Sequence, residues 1–256
     1  MSNYFVDTHC HVFKSDYENI DEVLKDASNN HIKYVINNGS NDKSNKEVLK
    51  LVERYLCMYG AIGIHPEDVD SYSLDDIKFI ENNISNKKIV AIGEIGLDYH
   101  YTKENKDEQI KLFEMQLSLA EKYDIPVIVH SRDATEDTIN SLKKFNCKGV
   151  IHSFSGSLET ARIYIKMGYM IGINGVITFK NAKIKDAIKE VGLEYIVLET
   201  DSPYLTPEPF RGKQNNPGHV LEVAKFVANL YDISLEELAI QTNKNVIEMY
   251  KKMKLD

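Results

Sequence analysis

The sequence predicts a single-domain α/β fold, a (β/α)8 TIM barrel spanning residues 1–256. Three observations predict it. Eight short apolar runs rich in Val and Ile alternate with helical patterns, as buried parallel strands joined by helices do. The length of 256 residues sits close to the ~250 typical of such a barrel. No Pro/Gly/Ser-rich linker and no break in composition divides the chain. Alternation alone also permits an open doubly wound sheet, but eight strands fit a closed barrel better.

The runs lie at residues 4–8, 33–37, 58–64, 89–93, 126–129, 149–151, 169–173 and 196–198. Each is short and continuous, the pattern of a strand buried on both faces. Helices are expected at 20–30 and 43–55, and a third opens at Ser73-Leu74-Asp75-Asp76 with the serine as N-cap. The stretch 106–123 places Ile110, Phe113, Leu117 and Ala120 on one face. Further helices are expected at 135–145, 158–166, 182–191 and 220–230. The last starts at Ser234-Leu235-Glu236-Glu237, which has capping-box form.

The net charge of −8 argues against a broad basic surface for gripping long nucleic acid, though not against a small site for one or two phosphates. Cys10, Cys57 and Cys147 are few, odd in number and widely spaced, so neither a disulfide framework nor a cysteine zinc ribbon is indicated. The N-terminus lacks the basic and apolar regions of a signal peptide, and no apolar run approaches the ~20 residues of a membrane span. A cytoplasmic protein without a membrane partner is the expectation. G-x-S-x-G, G-x-x-x-x-G-K-[ST] and G-x-G-x-x-G patterns are all absent.

Chemistry in such barrels sits at the C-terminal ends of the strands. The first run ends at Asp7-Thr8-His9-Cys10-His11, the third at His65, the fourth at Gly93-Glu94, the fifth at His130, the sixth at His152 and the eighth at Glu199-Thr200-Asp201. Five of the eight histidines are used this way. His9 and His11, two apart in an extended segment, point to one side, with Cys10 turned away. Imidazoles suit zinc, iron and nickel. Glu94 and Asp201 are carboxylates at buried strand ends and need partners. A glutamate bridges two ions through its two oxygens, which an imidazole cannot do. Four histidines and two acids exceed one four-coordinate zinc, so two divalent ions sharing a carboxylate fit better. Arg132 follows His130 by two, and Arg211 and Lys213 lie in the loop after the last strand, where such barrels often hold phosphate. His31, His100 and His219 show no such placement.

These blocks together resemble the TatD family of metal-dependent deoxyribonucleases, within the amidohydrolase-like barrels. They are Phe5-Val6-Asp7-Thr8-His9-Cys10-His11, Gly63-Ile64-His65-Pro66, Gly93-Glu94-Ile95-Gly96-Leu97-Asp98-Tyr99, His130-Ser131-Arg132-Asp133, His152-Ser153-Phe154-Ser155-Gly156, Leu198-Glu199-Thr200-Asp201-Ser202-Pro203-Tyr204 and Arg211-Gly212-Lys213-Gln214-Asn215. The resemblance runs over essentially the whole chain. It implies a two-metal barrel (Zn, Mn or Mg) that hydrolyses DNA phosphodiesters through a bridging hydroxide. By this resemblance His9, His11, Glu94 and Asp201 hold one ion, and Glu94, His130 and His152 the other. Glu94, Asp201 and His65 are the expected catalytic residues; Arg132, Arg211, Lys213 and Tyr99 are the expected substrate contacts. The expected partner is DNA, single-stranded or at strand ends, and the expected protein a monomer. An alternative is hydrolysis of another bond on the same site, as in a D-aminoacyl-tRNA deacylase or an amidohydrolase. The chain departs from the family's Gly-x-His-Pro-His pattern by carrying Glu67 in place of the second histidine.

Overall fold

The computed structural model describes residues 4–255. Eight parallel strands form one sheet in sequence order: β1 (Phe5–Cys10), β2 (Ile32–Asn38), β3 (Met58–Ile62), β4 (Ile89–Asp98), β5 (Val127–Arg132), β6 (Gly149–Ile151), β7 (Tyr169–Ile173) and β8 (Ile196–Leu198). The helices are α1 (Ile20–Asn29), α2 (Asp42–Arg54), α3 (Leu74–Asn83), α4 (Lys106–Tyr123), α5 (Thr135–Leu142), α6 (Leu158–Lys166), α7 (Ile184–Glu190), α8 (Val220–Tyr231) and α9 (Leu235–Met249). This is the expected (β/α)8 barrel. Where the ring meets itself, β1 and β8 join beyond their ladders: Thr8 Oγ1 donates to Leu198 O (3.0 Å), Asp201 N to His9 O (2.9 Å) and His11 N to Ser202 O (2.7 Å). The seam therefore lies at the residues that carry His9, His11 and Asp201.

Caps act where the sequence placed them. Ser73 and Ser234 each form a capping box, with Asp76 and Glu237 respectively. One apolar cluster fills the space between barrel and helices. A second draws Val6, Tyr34, Ile36, Tyr59, Ala61, Val90, Ile128, Val150, Met170 and Val197 from all eight strands, and Val246, Met249 and Tyr250 from the C-terminal helix and the residue after it close it. It is the packed barrel interior.

Two elements differ from expectation in ways that matter. β4 runs on past Gly93 to Asp98. Its register against β5 shifts between Ile92 and Ile95, and within the shift Glu94 N donates to Gly39 O at the end of β2 (2.8 Å). Beyond it, Gly96 at φ +142° lies so close to β5 that a Cβ would fall 1.9 Å from His130 O; only glycine fits there. The second difference is on α4. Its buried face includes Gln109 and Gln116 besides Phe113, Leu117 and Ala120, while Ile110 is only partly buried. Gln116 donates to Ile64 O (3.0 Å) and accepts from Ile64 N (2.8 Å). Gln109 does the same for Asp98 (both 2.9 Å). Each amide satisfies backbone groups at a strand end that would otherwise be buried unpaired.

Among the described residues no helix is long and apolar enough to cross a membrane.

Candidate metal centre

Alternation along the strands builds the site. Side chains two apart face the same way, so the inward row that is apolar at the bottom continues upward into polar groups. Ile128 is followed by His130, Val150 by His152, and Val197 by Glu199 and then Asp201. On β7 the corresponding position is Gly172, where a Cβ would fall 2.5 Å from Glu199 Oε2. The glycine leaves room for a buried carboxylate. Asp201, at φ +57°, turns the chain out of β8 in a conformation aspartate tolerates better than most residues.

The side chains converge as two groups around Glu94. Its Oε2 lies 3.3 Å from His9 Nε2 and 3.4 Å from His11 Nε2. Those two nitrogens are 3.0 Å apart and stand 3.7 and 3.6 Å from Asp201 Oδ1. Donors bonded at ~2.0–2.1 Å to a tetrahedral ion are separated by about 3.3 Å, so these four atoms have the spacing of a first coordination shell. The other carboxylate oxygen, Oε1, lies 3.0 Å from His130 Nδ1, 3.7 Å from His65 Nε2 and 3.8 Å from His152 Nε2. His152 Nε2 is also 3.5 Å from Asp201 Oδ1.

The far side of each imidazole decides what the near side offers. His11 Nδ1 faces Asn38 O at 2.9 Å, His130 Nε2 faces Asp98 Oδ2 at 2.9 Å, and His152 Nδ1 lies 2.9 Å from Glu199 Oε1. An acceptor on the far nitrogen holds the proton there and leaves a lone pair toward the centre, the usual outer arrangement of a metal-bound histidine. Asp98 and Glu199 are thus functional carboxylates that were not identified from the sequence. Asp7 also acts at one remove. It accepts from His9 N (3.1 Å), Thr200 N (3.0 Å) and Thr200 Oγ1 (2.5 Å), tying the ends of β1 and β8 together. Cys10 points away, donating from Sγ to Ile36 O (3.4 Å).

Charge in this site is strongly coupled. Burial alone would raise the Glu94 pKa, but His9, His152, His11 and His130 hold it well below the ordinary value. Asp201 is likewise lowered, its burial outweighed by His152, His11 and His9. Burial would lower His11 and His130, yet carboxylates raise both to about 10: Asp201 and Glu94 for His11, Asp98 and Glu94 for His130. His152 reaches about 9 through Glu199, Asp201 and Glu94. His9, buried beside His152, is lowered. The carboxylates therefore demand cations; protons on the imidazoles supply them, and a metal ion would displace those protons.

Two cavities meet at the centre. One, of about 600 Å³, is lined by His130, Arg132, His152, Tyr101 and Glu67 among others. The other, of about 330 Å³, is walled by Phe13, Ser40, Asn41 and Lys43. His11, His65, Glu94 and Tyr204 belong to both. The structure brings His9, His11, His65, Glu94, His130, His152 and Asp201 together and sets Arg132 on the cavity wall. It does not bring Tyr99, Arg211 or Lys213 to the cavity. Tyr99 is buried, and its hydroxyl donates to Asp137 (3.1 Å); the exposed Tyr101 faces the cavity instead, its ring 5.4 Å from the Arg132 guanidinium. Arg211 and Lys213 are exposed, with the Arg211 guanidinium stacked over Phe179 at 3.8 Å. The buried member of that loop is Asn215, which donates to Thr200 O (3.0 Å) and Tyr204 O (2.5 Å) and so shapes the turn after Asp201. Of the three remaining histidines, His31 and His100 are exposed and His219 stacks on Phe210.

A barrel whose catalytic end carries convergent imidazoles and carboxylates defines a metal-dependent hydrolase. The family model described as TatD related DNase matches residues 6–251, and the chain belongs to the TatD family. YabD of Bacillus subtilis (strain 168), an uncharacterized metal-dependent hydrolase by name, is 38% identical over 250 residues, covering 96% of this chain and 98% of its own. Human deoxyribonuclease TATDN3 is 32% identical over 264 residues, covering 97% of this chain and 95% of its own. The crystal structure of YjjV, a TatD homolog from Escherichia coli K12, superimposes with a TM-score of 0.90 at 30% identity over 98% of this chain and 99% of that one.

Proposed function

We propose that the protein hydrolyses phosphodiester bonds in single-stranded DNA or at strand ends, as an exonuclease, with two divalent ions bridged by Glu94. The observation that carries this reading is the division of labour at Glu94: Oε2 faces His9 and His11, while Oε1 faces His130 and His152. Two such ions would supply a water acidic enough to attack near neutral pH and positive charge for the phosphoryl oxygens. His9, His11, Glu94 and Asp201 would hold one ion; Glu94, His130 and His152 the other. An imidazole-rich donor set favours zinc or manganese over magnesium. Asp201 is placed to receive the proton of the attacking water.

DNA as substrate is supported by the description of the matching family and by the human relative's name. The two cavities meeting at the centre give a strand room on either side of the scissile bond. Tyr101 and Tyr204, 72% and 60% exposed at this mouth, offer stacking faces for unpaired bases, and Arg132 offers a fork for a phosphate.

The test is cleavage of 5′- and 3′-labelled single strands during titration with Zn²⁺, Mn²⁺ and Mg²⁺. Metal-dependent shortening from one end is expected. No cleavage of DNA with any of the three, alongside hydrolysis of D-aminoacyl-tRNA, would overturn the reading.

A further inference from the structure

Five imidazoles surround the centre, and four turn an unprotonated nitrogen toward it or are free to do so. His11, His130 and His152 have acceptor oxygens at their far nitrogens, and the buried His9 Nδ1 has no hydrogen-bond partner among the described residues. His65 is wired the other way. Its far nitrogen, Nδ1, accepts the backbone N–H of Glu67 (3.2 Å) and so caps the short turn Pro66–Asp68. A neutral imidazole carries one proton, and an accepting Nδ1 places it on Nε2. That nitrogen opens onto both cavities. At 3.7 Å from Glu94 Oε1 it is too far for a hydrogen bond, so its N–H is left for something in the cavity.

We infer that His65 lies outside the metal shells and is a hydrogen-bond donor, through Nε2–H, to an oxygen of the scissile phosphate. The identity of that oxygen rests on the proposed function; the donor assignment does not. His65, Glu94 and His130 present ligand atoms close enough to one another to resemble an ion site. Ligation through Nε2, however, would require either an imidazolate or loss of the Glu67 N–H bond, a cost that His152 does not incur. Burial reinforces the arrangement by lowering the His65 pKa to about 4, which keeps the ring neutral beside cations. A donor fixed before substrate arrives stabilises charge that develops on an oxygen without reorganising.

Three readouts test this. In zinc-loaded protein, long-range ¹H–¹⁵N correlation of the His65 ring should show Nε2 protonated and Nδ1 bare. Elemental analysis should find the same ion content in His65→Ala as in the unsubstituted protein, whereas His130→Ala loses an ion. Hydrolysis of bis-p-nitrophenyl phosphate and of single-stranded DNA should fall about 10²–10³-fold in His65→Ala, the loss seen when one preorganised donor is removed; His65→Gln, which restores an N–H donor, should recover at least part of it. An unprotonated Nε2, an ion lost from His65→Ala, or an unchanged rate would each overturn the inference. Failure to cut DNA by the unsubstituted protein would instead count against the nuclease reading, since the tautomer and ion content need no substrate.

Discussion

Two layers of the barrel interior stand on the same inward-facing rows and could hardly differ more. The lower layer holds Ile36, Ile128, Val150 and Val197, sealed by Val246 and Tyr250. The upper layer, two or four residues further along those strands, holds Asn38, His130, His152, Glu199 and Asp201. Apolar groups below gain by leaving water, about 25 cal/mol per Å² buried. Ionisable groups above lose by it and are tolerated because each faces a partner. The strands set where side chains point; the residue type at each height decides whether a position stabilises the barrel or equips it.

That division is open to disruption from either side. The largest effect is expected at the top. Glu94→Ala removes the carboxylate shared by both imidazole groups and should lower kcat/KM by more than the ~10²–10³-fold of a single lost stabiliser, with the far-ultraviolet spectrum of the barrel retained. At the bottom, Ile36→Ala should cost about 2–5 kcal/mol of stability in chemical denaturation, while kcat of the folded protein changes by no more than a few-fold. A denaturation midpoint unmoved by Ile36→Ala, or activity lost with it, would erase the distinction. The smallest effect is expected one step behind the top layer. Asp98→Asn and Glu199→Gln should each weaken metal affinity about 10–100-fold, as loss of an outer-shell partner does; calorimetric titration measures it.

Much of the fold was legible because buried strands and capped helices leave local marks. The limits of β6, β7, β8, α4 and α6 coincide with the expected runs. The ligand candidates were legible because each follows its apolar run directly. What escaped was what depends on partners far away in sequence. The extension of β4 to Asp98 is carried by pairing with β5, and nothing local to Gly93 announces it. Gln109 and Gln116 read as polar interruptions of a helix face until the strand ends they satisfy are in place. Asp98 and Glu199 look like neighbours of the important residues, and only the rings of His130 and His152 give them a role. Tyr99 and Tyr101 are two apart on a segment that leaves β4, and sequence alone could not tell which of them would turn to the cavity.

The central claim is that Glu94 joins two ions, and counting them tests it most directly. After saturation with zinc or manganese and removal of free ion, elemental analysis should find two ions per chain, falling to one or fewer in Glu94→Ala. One ion in the unsubstituted protein, or two retained without Glu94, would contradict the account.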